Sequence, residues 1–240
     1  HAFTAVLRRE LLLFVRYPVD AVGMVVSYLA LFGLLLVGGR TLSGQAMADS
    51  IEGIVVGYLL WTLATTCFQG ISGDIAAEAG WGTLERHLMT PYGFSVVMLA
   101  KSVTKLGFNA VYAAVLLVPM LAVTGTTLHL DLVTILPVAT FALASVFGLG
   151  FAFGGLTLLY KNVGNWMSLF QIGLVSLVAA PVFGGGWLMA LPLAQGSALL
   201  QRAMTNGVRL WEFEPASLAV LVVTGIAYLL AGHLVFQLCQ

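Results

Sequence analysis

The 240-residue chain is 60% hydrophobic and only 8% charged, with a mean hydropathy of +1.01. A water-soluble domain carries about a quarter charged residues, so this composition excludes an ordinary soluble fold and makes lipid the main solvent. Ten basic and ten acidic side chains balance, which excludes bulk attraction to nucleic acid or another polyanion.

Residues 1–18, HAFTAVLRRELLLFVRYP, place Phe3, Val6, Leu7, Leu11 and Phe14 at helical spacing, with Arg8, Arg9 and Arg16 on other faces. This pattern predicts a helix lying in the membrane interface, arginines toward the headgroups, until Tyr17-Pro18 turns the chain inward. The segment lacks a small-residue cleavage site, so no cleavable targeting peptide is expected.

A helix needs roughly 20 apolar residues to cross the hydrocarbon core. Runs of that kind occur at about 20–39, 53–72, 102–124, 132–159, 165–183 and 217–237. The expected fold is an all-α membrane protein with six transmembrane helices. Pro119 lies inside the third run, where it should kink the helix or mark its final turn.

Between the second and third runs, residues 77–90 form a different kind of segment. Ala77, Trp81, Leu84 and Leu88 make one apolar stripe, while Glu78, Thr83, Glu85, Arg86 and His87 occupy the remaining surface. Thr90 precedes Pro91, which stops the helix. A mere linker could be shorter; an amphipathic helix on the bilayer with charged groups turned to water suits docking of a soluble partner.

Residues 184–214 contain Gly184 to Gly186, Pro192 and apolar pieces too short to cross. They predict a re-entrant hairpin or short interfacial helices before the last span.

Direction follows from lysine and arginine between spans. With the N-terminus inside, Arg8, Arg9, Arg16, Arg86, Lys101, Lys105 and Lys161 fall on the cytoplasmic side, against Arg40, Arg202 and Arg209 outside. Both termini are therefore expected in the cytoplasm, and residues 77–90 with them.

Several features resemble chemical sites without the needed spacing. Leu42-Ser43-Gly44-Gln45 resembles the signature loop of ABC ATPases but lacks a glycine and lies in an outer connection; the chain has no G-x-x-x-x-G-K-[ST]. His1, His87, His129 and His233 are scattered, so no metal site is expected. Cys67 and Cys239 read as packing residues. Gly148, Gly150, Gly154 and Gly155 favour close helix packing. Gln69, Asn109, Asn165 and Gln171 could face a pathway or bond between helices.

The stretch Glu78, Gly82-Thr83-Leu84-Glu85 and Thr90-Pro91 resembles the cytoplasmic connection of the membrane subunits of ABC-2 type transporters. Gly80-Trp81 departs from the family pattern, where a charged residue often precedes the Gly-Thr. The resemblance implies a permease pairing with a second copy of itself or a related permease and with cytosolic ABC ATPase subunits, which carry the ATP and Mg; this chain itself needs no cofactor. It implies docking roles for Glu78, Thr83, Glu85 and Arg86, with Gly82 permitting close backbone approach. The function so implied is ATP-driven export of an amphipathic, lipid-like, glycan or drug-like cargo across the plasma membrane, among membrane lipids. The alternative is an ion- or proton-coupled carrier, which would call for ionisable groups at mid-membrane.

Overall fold

The computed structural model describes residues 18–43, 51–81, 94–160, 164–179 and 189–239. Seven α-helices form among them: α1 (Pro18–Ser43), α2 (Ile51–Trp81), α3 (Phe94–Thr124), α4 (Leu132–Leu159), α5 (Gly164–Ala179), α6 (Ala194–Asn206) and α7 (Pro215–Cys239). No strand occurs among the described residues. By length and composition, Ile51–Ile75, Leu132–Leu159 and Pro215–Cys239 can cross a membrane, and shorter apolar stretches occupy Val25–Val37, Ala113–Thr124 and Gly164–Val178. The expected interface helix lies outside the described residues except for Pro18, which takes the first position of α1, where its missing N–H costs nothing.

The six expected runs each coincide with a helix, but the bounds differ in an orderly way. The fourth matches residue for residue, because Asp131 caps it: its carboxylate accepts from the Val133 N–H at 3.2 Å and the Thr134 hydroxyl at 2.7 Å. The second runs on to Trp81 and the third starts at Phe94, eight residues before the apolar run at 102. Hydropathy marks where the apolar stretch ends, whereas the helix continues as long as its residues tolerate helical geometry. Pro119 leaves α3 intact for one more turn, to Thr124.

The tightest packing joins α4 and α7. A Cβ on Gly148 would overlap the carbonyl of Tyr228, one on Gly232 would overlap the carbonyl of Gly148, and one on Gly225 would lie 2.6 Å from the Phe141 oxygen. One seven-residue step further, a Cβ on Gly155 would meet the Phe236 Cα at 3.1 Å. Contacts therefore advance in the same direction along both helices, 141 to 225, 148 to 232 and 155 to 236, so α4 and α7 run parallel. Gly148 and Gly155 perform the packing role expected of them, since only glycine lets two helix backbones touch. Cys67, 1% exposed, sits in the same core beside Phe68 and Phe151.

Helix α2 lies against α4, α3, α5 and α6, and so forms the centre of the bundle. Helix α1 is held differently. Phe32 packs at a tilt against Tyr58 with ring centroids 5.3 Å apart, and the Tyr58 hydroxyl donates to the Tyr28 carbonyl at 2.7 Å. Bulky aromatics thus space α1 from α2, whereas glycines bring α4 and α7 into backbone contact.

The short helix α6 falls within the segment expected to be re-entrant. The Leu193 N–H donates to the Ser145 hydroxyl at 3.1 Å, and Ser145 is the fourteenth of the 28 residues of α4. At its other end, the Met204 carbonyl accepts from the His129 N–H at 2.8 Å, just before α4 begins. Helix α6 therefore starts at the mid-depth of α4 and runs back to the pole where α4 starts. Leu193 holds a left-handed conformation, φ 70°, which costs about 1–2 kcal/mol for a non-glycine residue. Its side chain, 2% exposed, offsets that cost by core burial.

Ser197, fully buried, ties α6 to the end of α5: its hydroxyl donates to the Val178 carbonyl at 2.7 Å and accepts from the Gln201 amide at 3.2 Å. Ser197→Ala leaves both partners unpaired in an apolar setting and should lower stability by about 1–3 kcal/mol. Thermal unfolding in detergent checks this against Ser168→Ala, an exposed serine bonded only within its own helix, which should be silent.

The outer surface is apolar. Leu34, Val118, Ile172, Val223, Leu234 and Leu238 are all more than half exposed, and such a continuous coat is stable against hydrocarbon rather than water. Arg209 stacks over Trp211 at 5.5 Å, exposed at the pole where α4 and α7 begin, as interfacial anchors do.

Candidate functional site

Helix α2 floors a groove walled by α1 on one side and α5 on the other. Two clefts open along it. Near the far end of α2, Tyr28, Thr66, Gln69, Gly73, Asp74 and Gln171 line a polar cleft of about 510 Å³. Toward the start of α2, Leu31, Leu35, Gly57, Trp61, Val175 and Val178 line a mostly apolar cleft of about 690 Å³, with Glu52, Gln201, Thr205 and Asn206 at its rim.

The local sequence explains the shape. Gly53, Gly57, Trp61, Gln69 and Gly73 fall on one four-residue row of α2, the row that faces the groove. Small residues hollow it at both ends. At Gly57 an added Cβ would come 3.4 Å from Val178 Cγ1, and at Gly53 3.8 Å from Gln201 Oε1, so α5 and α6 close the floor there. Trp61 stands between the clefts, its ring 5.7 Å from Tyr58. Its indole N–H is buried without a hydrogen-bond partner among the described residues, a costly arrangement for a donor in an apolar wall.

Of the pathway candidates read from sequence, Gln69 and Gln171 converge on the polar cleft, whereas Asn165 is exposed at the start of α5 and lines neither; the Asn109 side chain lies outside the described residues. Glu52 and Trp61 were not legible as site residues. The one available signal was an acid in the first turn of an otherwise apolar helix. Among the described residues no group of three or more His, Cys, Asp or Glu could hold a metal. Such walls can bind and pass a molecule.

Glu78 lies in the last turns of α2, four residues beyond Asp74, and its side chain lies outside the described residues. Gly82, Thr83, Glu85 and Arg86 also lie outside them. The backbone nonetheless fixes one relation: the helix flooring the groove continues without a break to Trp81, at the edge of this segment. Its 31 residues span about 46 Å at 1.5 Å per residue, against a hydrocarbon core of roughly 30 Å. The final turns therefore project from the apolar stretch that ends at Ile75.

No curated protein and no solved structure matches the chain. The model of the ABC-2 type transporter family does match, over residues 1–177, from before α1 almost to the end of α5. An apolar helical bundle, an intramembrane groove and this match together define an integral membrane permease component, and the chain belongs to the ABC-2 type transporter family.

Proposed function

We propose that the chain is the membrane subunit of an ATP-driven exporter. Six helices, α1 to α5 and α7, cross the plasma membrane with both termini in the cytoplasm. The chain works with a second copy of itself or a related permease and with cytosolic ATPase subunits, the usual company of this family. ATP and Mg bind on those subunits, while this chain supplies the path. Glu78, Gly82, Thr83, Glu85 and Arg86 dock the ATPase, and cargo of amphipathic, lipid-like, glycan or drug-like character moves along the α2 groove, which the second permease closes.

The continuity of α2 carries this reading. A helix is stiff along its axis, so displacement of the segment after Trp81 transmits directly to the groove floor. The parallel run of α4 and α7 also agrees with an even number of crossings between their starting points.

Reconstitution tests the proposal. The purified permease should hydrolyse no ATP, and vesicles containing it should accumulate cargo only when the cognate ATPase and Mg-ATP are present on the side bearing residues 82–90. Transport driven by an ion gradient without any ATPase would overturn it in favour of a carrier.

A further inference from the structure

We propose that the apolar cleft between α1, α2, α5 and α6 binds a hydrophobic cation, with its positive head at Glu52 and its apolar body reaching toward Trp61. This inference deepens the exporter reading, on which the groove is the cargo route, by assigning the charge and shape of what enters it.

The cleft, about 690 Å³, has the size of a drug-like ligand site, roughly 300–1,000 Å³. Leu31 and Leu35 form one wall and Val175 and Val178 the other, so the body of the ligand must be apolar. Glu52 is the single charged side chain among the lining residues. It is half-buried and makes neither an ion pair nor a hydrogen bond among the described residues. The favourable dipole at a helix N-terminus accounts for an acid in that turn, but not for its placement at the mouth of a cavity whose described lining carries no basic group.

The polar neighbours reinforce the sign. Gln201 spends its amide N–H on Ser197 and turns Oε1 toward Gly53. Gln201 Oε1 is thus an acceptor left at the rim near the one carboxylate, which suits an ammonium or other cation.

A second observation fixes the depth. Trp61, which also lines the cleft, lies nine residues along α2 from Glu52, about 13 Å at 1.5 Å per residue. A molecule filling the cleft reaches from one to the other, its far end lying against the Trp61 side chain. The same cation chemistry could come from a bilayer lipid's ammonium headgroup or from a free amphiphile.

The test uses the full chain purified in an uncharged detergent, without any ATPase. The probe is 11-bromoundecyl-trimethylammonium, whose extended chain is comparable with the Glu52–Trp61 separation, against the matching 11-bromoundecyl sulfate. Bromine quenches indole emission on contact. The cation should give saturable quenching that Trp61→Phe removes, while the sulfate gives only weak, unsaturable quenching. Glu52→Gln should weaken the cation about tenfold, the equivalent of roughly 1.4 kcal/mol. Asn206→Asp, which adds a carboxylate without changing shape, should strengthen it by about threefold, as a partly exposed ion pair does; this gain cannot be mistaken for misfolding.

Equal affinity for the two probes, or no change in Glu52→Gln and Asn206→Asp, would overturn the proposal. Repeating the titration in nanodiscs with and without phosphatidylethanolamine separates the sources: competition assigns the site to a lipid headgroup, its absence to a free cationic amphiphile, and either keeps the cation. A negative result leaves coupling to the ATPase untouched. Conversely, absence of ATPase-dependent transport by the unmutated chain with cation binding intact would sink the exporter reading and leave the site.

Discussion

Gly148→Leu should abolish a stably folded bundle. At this position even a Cβ overlaps the carbonyl of Tyr228 and lies 2.7 Å from the Leu229 nitrogen. Both obstacles are backbone atoms of α7, so no rotamer change can yield. Overpacking a core typically costs about 1–3 kcal/mol, and more when the obstacle cannot move. Gly148→Ala should therefore lower the melting temperature in detergent clearly, and leucine should leave little monodisperse protein on size exclusion. The reciprocal site, Gly232, where an added Cβ overlaps the Gly148 carbonyl, should behave alike. Gly33→Ala is the control: nothing lies within 4 Å of its added Cβ, and alanine in a helix gains up to ~1 kcal/mol over glycine. An unchanged melting temperature for Gly148→Leu would refute the backbone contact between α4 and α7.

Charge reversal at Glu85 should have the largest effect on activity. On the proposed docking role, Glu85→Lys replaces an attractive charge at the ATPase contact by a repulsive one. Truncating one partner of a buried interfacial pair costs about 2–5 kcal/mol, and a like charge costs more. The ATPase should still bind and hydrolyse ATP, because its site is its own, while cargo accumulation per ATP falls at least about tenfold. Measuring hydrolysis and transport together in the same vesicles separates this from simple misfolding, which removes both. Transport that stays coupled would dismiss Glu85 as a docking residue.

The long apolar elements were readable because their chemistry is local. Asp131 ahead of an uninterrupted apolar run, with Tyr160 after it, states both ends of α4 within 30 residues of sequence. The ends of α2 and α3 were less so: beyond the run at 53–72, Asp74 and Glu78 lower hydropathy without breaking a helix, so the run stops before the helix does. Residues 184–214 announced a short broken segment through Gly184 to Gly186 and Pro192. Whether it rests on headgroups or packs inside depended on partners far along the chain: Ser145 is 48 residues from Leu193, and Val178 is 19 from Ser197. For the same reason the groove was invisible. In the sequence Gln69 and Gln171 stand singly as polar groups in apolar helices; their convergence is a product of α2–α5 packing, and Glu52 becomes a site residue only because α6 stands beside it.

The contrast between the two kinds of helix contact sets a division of labour. Where α4 and α7 touch through glycine, neither can slide or tilt against the other without steric collision, so the pair acts as a stator. At the opposite flank α1 leans on Phe32 and Tyr58, whose rings can re-rotate, and α5 is tied to α6 through the Ser197–Val178 hydrogen bond. Widening of the passage must then come from the helices outside this fixed keel, so spectroscopic distances during turnover should stay constant for α4–α7 pairs and change for pairs that include α1, α2 or α5.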